Sequence, residues 1–141
     1  MGTYLVRGGK RIEGEFAVRG SKNAALPILA ACVLAADEVV LENLPQIRDV
    51  SQTLEILREL GCSVTLTERT AVIDSREMQA IALCGEAVRK MRSSILFLGA
   101  MLGRSGAGRI AYPGGCAIGK RPIDLHLAAF RRMGVSIAEE N

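Results

Sequence analysis

At 141 residues, with 49% hydrophobic and 23% charged residues, the chain has the length and composition of a soluble globular domain with its own core. A net charge of +3 without a long basic run, and only three Phe and two Tyr, argue against a stacking surface for single-stranded nucleic acid and favour small anionic ligands. The longest apolar run, Ala24 to Ala36, is 13 residues, is interrupted by Pro27 and is too short to span a bilayer.

Met1 to Arg11 is basic and glycine-rich and does not read as a signal peptide, so a cytoplasmic protein is expected, with neither membrane nor nucleic acid as partner. Cys32, Cys62, Cys84 and Cys116 form no C-x-x-C pair, and His126 is the only histidine, so no metal site is expected. Three of these cysteines sit in apolar or strand-like contexts suited to a reduced interior.

In chain order, Thr3 to Arg7 and Glu15 to Arg19 read as short strands around Gly8-Gly9. Ser21-Lys22-Asn23 then opens an apolar helix over 24–36, with Ser21 or Asn23 as cap and Pro27 near the first turn. Apolar nearly all round, this helix is expected to be buried. Lys22 and Asn23 stand at its mouth, where an anion is welcome; a cap and a solvated lysine satisfy the same pattern. Glu38 to Asn43 alternates as a strand. Asp49 and Gln52 have the spacing of a capping box for a helix carrying Val50, Leu54 and Leu57, which Gly61 ends. Cys62 to Thr67 and Thr70 to Asp74 read as a hairpin turning at Glu68-Arg69, and Ser75 to Gly85 is ambiguous.

The periodicity of Val88, Met91, Ile95, Leu98 and Leu102 predicts one helix over 86–103. Arg89, Lys90 and Arg92 fall in its first two turns, against the macrodipole, which suits either a bound anion or a solvated basic face. Arg109 to Tyr112 reads as a strand. Pro122 at a first helical position, Asp124 behind it, and Ile123, Leu127 and Phe130 on one side predict a last helix ended by Gly134, with a strand over 135–138.

Between these elements lies Pro113-Gly114-Gly115-Cys116-Ala117-Ile118-Gly119-Lys120-Arg121-Pro122. Glycines let backbone approach a ligand, and a thiol beside Lys120 and Arg121 ionises more readily than a free one. Cys116 is thus a candidate nucleophile or general acid and Arg121 a candidate anion clamp; a loop with an incidental cysteine has the same composition. The chain also repeats. Leu54, Leu57, Leu60-Gly61 and Val64 recur as Leu127, Phe130, Met133-Gly134 and Ile137 at one offset of 73, which carries Arg48 onto Arg121. An α/β fold of two βαβαβ-like units side by side is expected.

Three stretches, Ser21-Lys22-Asn23-Ala24-Ala25-Leu26-Pro27, Met91-Arg92-Ser93-Ser94 and Pro113 through His126, resemble the UDP-N-acetylglucosamine 1-carboxyvinyltransferases, in the same order and over nearly the whole chain. The resemblance implies transfer of the enolpyruvyl group of phosphoenolpyruvate to the 3-hydroxyl of UDP-N-acetylglucosamine, the committed step of peptidoglycan synthesis, with phosphate released. It implies that Lys22 and Asn23 contact phosphoenolpyruvate. It implies that Arg92, Arg121, Pro122, Ile123, Asp124 and Leu125 bind substrate anions and the uridine nucleotide, and that Cys116 is the loop acid and the site of the fosfomycin adduct. No cofactor and no metal is implied. The fold implied is the inside-out α/β barrel of the enolpyruvyl transferases, in which each of two domains holds three of the repeated units.

This chain shows about two such units. By the same resemblance, residues 1–21 are strands that pair with a second domain, and 22–141 form an incomplete first domain. The chain is therefore expected to be an N-terminal piece with little or no activity alone. A complementing C-terminal chain, or self-association through exposed edges, is the expected partnership. Another enolpyruvyl transferase, such as the shikimate-pathway enzyme, is a second reading, against which the Gly114-Gly115-Cys116 loop argues; outside enzymology, a module that binds a nucleotide-sugar or a partner chain fits the same residues.

Overall fold

In the computed structural model, residues 3–79, 81–114 and 122–140 are described. Cys116 and Arg121, and with them 115 and 117–120, lie outside those residues.

Helix α1, Lys22–Ala35, starts after an extended Ser21 whose hydroxyl makes no cap bond. Pro27 lies inside it and removes one backbone donor, which leaves the carbonyl of the exposed Asn23 to solvent. Ala36, at φ 55°, turns the chain into β1, Glu38–Leu41. Helix α2, Arg48–Glu59, follows, and then the hairpin β2, Ser63–Thr67, and β3, Thr70–Asp74. β3 is central, antiparallel to both β1 and β2. The later half runs β4, Ala82–Leu83; α3, Glu86–Lys90; a 3-10 turn, Arg92–Ser94; α4, Ile95–Ser105; β5, Arg109–Ile110, parallel to β4; and α5, Asp124–Arg132.

The repeat survives in atomic detail. At the end of α2, Gly61 has φ 91°; its N–H donates to the Arg58 carbonyl at 2.9 Å and that of Cys62 to Leu57 at 3.0 Å. At the end of α5, Gly134 has φ 89°; its N–H donates to Arg131 at 3.0 Å and that of Val135 to Phe130 at 3.0 Å. These are two Schellman caps at the same offset of 73. The offset also lays α1 on α4, and these two form the most extensive helix–helix contact.

Equivalent positions of the two helices are buried differently. Ala24, Pro27 and Ile28 of α1 are exposed, while their counterparts Phe97, Ala100 and Met101 are buried in α4. Leu29 and Ala30 are buried in α1, while their counterparts Leu102 and Gly103 are half-buried and exposed. The expectation that α1 is buried all round therefore fails on one side: Ile28 is 48% exposed and Leu34 51%.

Several local expectations are also corrected. No strand forms over 3–7, 15–19 or 135–138, because a strand needs a neighbour for its ladder and the described residues offer none there. Tyr4 is left 93% exposed and Phe16 86%. The capping box at Asp49 does not form: Ile47 is the N-cap, and Asp49, inside the first turn, pairs with Lys22. Pro122 precedes α5, which begins at Asp124. The single helix over 86–103 is broken at Met91, whose φ of −129° and ψ of 121° are extended.

Cys32 and Cys62 are buried and free, as the sequence suggests, whereas Cys84 is exposed. Burial pushes both buried thiols up, Cys62 to about 11 with further help from Cys32 and Asp74. A folded-state pKa above the unfolded one contributes stability that is complete below the unfolded value and is lost as pH rises through the folded one. Stability is therefore expected to fall between about pH 9 and about pH 11, with Cys62 alkylating far more slowly than Cys84 below that window. Urea midpoints across that range and peptide mass spectrometry check both; equal labelling of Cys62 and Cys84 at pH 8 would contradict them.

Candidate functional site

The described site residues stand at or beside the N-terminal ends of helical segments. Lys22 and Asn23 are the first two residues of α1, Arg92 opens the 3-10 turn leading into α4, and Asp124 and Leu125 open α5 behind Pro122 and Ile123. Backbone N–H groups of a first turn have no intrahelical acceptor, so anions are favoured at such ends.

Side chains tie these ends together. The Lys22 ammonium pairs with the Asp49 carboxylate, which joins α1 to the start of α2. Asp49 also accepts, at its carbonyl, a 2.8 Å bond from the buried Thr53 hydroxyl. Thr53 Oγ1 lies 3.7 Å from Met91 Sδ, at the helix break. One residue on, Arg92 Nη2 donates to the Pro122 carbonyl at 3.4 Å, reaching the start of α5. Lys22, Arg92 and Pro122 are thus linked through Asp49, Thr53 and Met91. Lys22, Asn23 and Arg92 are exposed at these ends, as are Asp124 and Leu125, whereas Ile123 is only 4% exposed and packs into the core.

The break at Met91 shapes the site. Arg89 and Lys90 fall in the last turn of α3, where the macrodipole favours cations, rather than in the first turns of a long helix. Lys90 pairs with Glu86, which holds that carboxyl below the usual range. Arg92 is set apart from them on the 3-10 turn. The backbone of Gly114 lies against this same break: a Cβ there would run into the Arg89 carbonyl, so only glycine fits. Gly114 and Pro122, the two flanks of 115–121, therefore both dock on residues 89–92.

Arg48, first residue of α2 and exposed, adds a cation beside Asp49. Its repeat relation to Arg121 is visible in the sequence, but its place next to the Lys22–Asp49 pair is not. Asp49, read as a cap, proves to be the partner of Lys22, and Gly114 proves to be a docking position. Among the described residues no group of three or more His, Cys, Asp or Glu is placed to hold a metal ion, and no helix is long and apolar enough to cross a membrane.

Comparison with known proteins follows this geometry. A family model described as EPSP synthase (3-phosphoshikimate 1-carboxyvinyltransferase) matches residues 6–141. UDP-N-acetylglucosamine 1-carboxyvinyltransferase 2 of Caldanaerobacter subterraneus subsp. tengcongensis is 44% identical over 139 residues, 99% of this chain and 33% of the relative. UDP-N-acetylglucosamine 1-carboxyvinyltransferase of Thermotoga maritima is 44% identical over 141 residues, 100% of this chain and 34% of the relative. Among solved structures, the enolpyruvyl transferase NikO from Streptomyces tendae superposes with a TM-score of 0.62 at 27% identity, over 70% of this chain and 23% of that one. The chain spans about a third of the length of the curated relatives it matches.

Proposed function

The chain belongs to the EPSP synthase (3-phosphoshikimate 1-carboxyvinyltransferase) family, and from that premise we propose that it carries one side of the site that transfers the enolpyruvyl group of phosphoenolpyruvate to the 3-hydroxyl of UDP-N-acetylglucosamine. The observation that carries the reading is that Lys22, Arg48 and Arg92 each stand exposed at the start of a helical segment, with Arg92 beside Pro122, one flank of the cysteine-bearing segment. Phosphoenolpyruvate brings a phosphate and a carboxylate and the sugar nucleotide a diphosphate, so several fixed cations and free backbone N–H groups are what the substrates require.

Lys22 and Asn23 contact phosphoenolpyruvate in this reading. Arg92 and Arg121 take substrate anions, and 122–125 line the uridine nucleotide. Cys116 donates the proton that the methylene carbon of phosphoenolpyruvate accepts as positive charge develops at the neighbouring carbon. A thiol so placed also opens an epoxide, which makes fosfomycin its expected covalent inhibitor. No metal is required where cations hold all the anionic groups. The relatives with which the chain is 44% identical favour UDP-N-acetylglucosamine over shikimate 3-phosphate as acceptor.

The exposed Ile28 side of α1 suits a further repeated unit, consistent with an incomplete first domain over 22–141. The exposed Tyr4, Leu5, Val6, Phe16 and Val18 suit strands over 1–21 that pair with a second domain or a complementing chain. Titration of the chain with UDP-N-acetylglucosamine, followed by a phosphate-release assay with phosphoenolpyruvate, tests the reading. Saturable nucleotide-sugar binding is expected, with little or no phosphate released until the remaining two-thirds is added. Binding that never yields phosphate even then favours a non-catalytic module, and no binding in either state contradicts both.

A further inference from the structure

Nothing in the sequence 86–103 contains proline, and its only glycines, Gly99 and Gly103, lie beyond the point where the helix breaks. The break at Met91 therefore has another cause, and the buried polar side chains identify it. Ser94 is 0% exposed. Its Oγ lies 3.0 Å from the Val88 carbonyl oxygen and 2.6 Å from that of Met91. In one continuous helix those carbonyls would accept from the N–H groups of residues 92 and 95. Here the extended Met91 carries residue 92 away from Val88. The Val88 carbonyl keeps a 3.4 Å bond from the Met91 N–H and the Met91 carbonyl a 3.3 Å bond from the Ser94 N–H. The single proton of the buried Ser94 hydroxyl, set between the two carbonyls, reinforces this non-helical arrangement.

What the break holds is the rest of the site. Gly114 packs on the Arg89 carbonyl and Pro122 on the Arg92 guanidinium, so the two flanks of 115–121 rest on the residues that Ser94 keeps apart. A helix continuous through Met91 would turn Arg92 to another side and remove the surface that Gly114 needs.

We propose that Ser94 is a positioning residue: its buried hydroxyl holds the chain open at Met91, and the open break is the platform on which Gly114 and Pro122 dock. Its importance for substrate rests on the proposed function above; its structural content does not. Hydrogen exchange of the unliganded 141-residue chain, followed by mass spectrometry, separates the two. In Ser94→Ala, amides of 109–114 and 122–127 are expected to exchange at least about tenfold faster, while those of β1, β2 and β3 stay within about twofold. Ser94→Thr, which keeps the hydroxyl, restores the slow rates. Gly114→Ala, which attacks the dock with Ser94 intact, reproduces the local pattern.

Unchanged flanks in Ser94→Ala, acceleration spread equally over the sheet, or a Ser94→Thr variant indistinguishable from Ser94→Ala would each overturn the proposal. Addition of phosphoenolpyruvate and UDP-N-acetylglucosamine to the unsubstituted chain is read separately: no slowing at the flanks counts against the proposed function and leaves the role of Ser94 standing.

Discussion

Phe97→Ala is expected to destabilise the chain by about 3–5 kcal/mol, the usual cost of emptying a buried aromatic site. Phe97 is 1% exposed, on the face of α4 that is buried. Against the ~5–15 kcal/mol that holds a typical domain together, such a loss leaves much of the protein unfolded near physiological temperature. Ile28→Ala, 48% exposed on the open face of α1, is expected to cost less than about 1 kcal/mol. The contrast is a property of the repeat. The counterpart of Phe97 in the first unit is Ala24, which is exposed. Urea midpoints with unchanged m-values measure both. Similar losses for the two substitutions would contradict the unequal burial of the repeat-equivalent faces of α1 and α4.

Arg92→Ala has the opposite profile. Its one described bond, to the Pro122 carbonyl, is long at 3.4 Å and exposed, so stability should change by less than about 1 kcal/mol. If the guanidinium holds a substrate anion, its loss should weaken binding of phosphoenolpyruvate in the presence of the nucleotide-sugar by about a hundredfold. Arg92→Lys should recover little of this, because an ammonium lacks the planar fork that grips two oxygens at once. Lys22→Ala should resemble it. Loss of the ammonium leaves Asp49 in the first turn of α2, where a carboxylate is still favoured, so binding suffers and folding does not. Isothermal titration beside thermal melts separates the effects; a stability loss that matches the binding loss would assign both cations a structural role.

The sequence made some features legible and hid others for a physical reason. Gly61 and Gly134 mark helix ends because only a residue at ease with positive φ closes a Schellman cap, a purely local requirement. The hairpin at Glu68-Arg69 and the 73-residue repeat were readable in the same way. The break at Met91 was not, because what holds it open is side-chain placement that periodicity does not show: the buried Ser94 hydroxyl turns back onto the Val88 and Met91 carbonyls, and the Met91 side chain packs beside Thr53 of α2. Asp49 looked like a cap because the spacing to Gln52 is local, while its partner Lys22 arrives from another helix. Strands over 3–7, 15–19 and 135–138 have the right alternation but no neighbour among the described residues, and pairing is not a property of one segment. Among the candidate site residues, Lys22, Asn23 and Arg92 are singled out by their motifs. The docking role of Gly114 emerges only from its backbone lying against the Arg89 carbonyl, where a Cβ has no room.

The central claim, that this chain holds one side of an enolpyruvyl transfer site, is tested most directly by the alkylation rate of Cys116 against pH, with and without UDP-N-acetylglucosamine. Cys84 serves as the exposed comparator, and Cys32 and Cys62 as buried ones. The account predicts that Cys116 reacts fastest near neutral pH, titrates below a free thiol and changes rate when the nucleotide-sugar is added. A Cys116 that follows the rate and pH profile of Cys84 and ignores the nucleotide-sugar would contradict it.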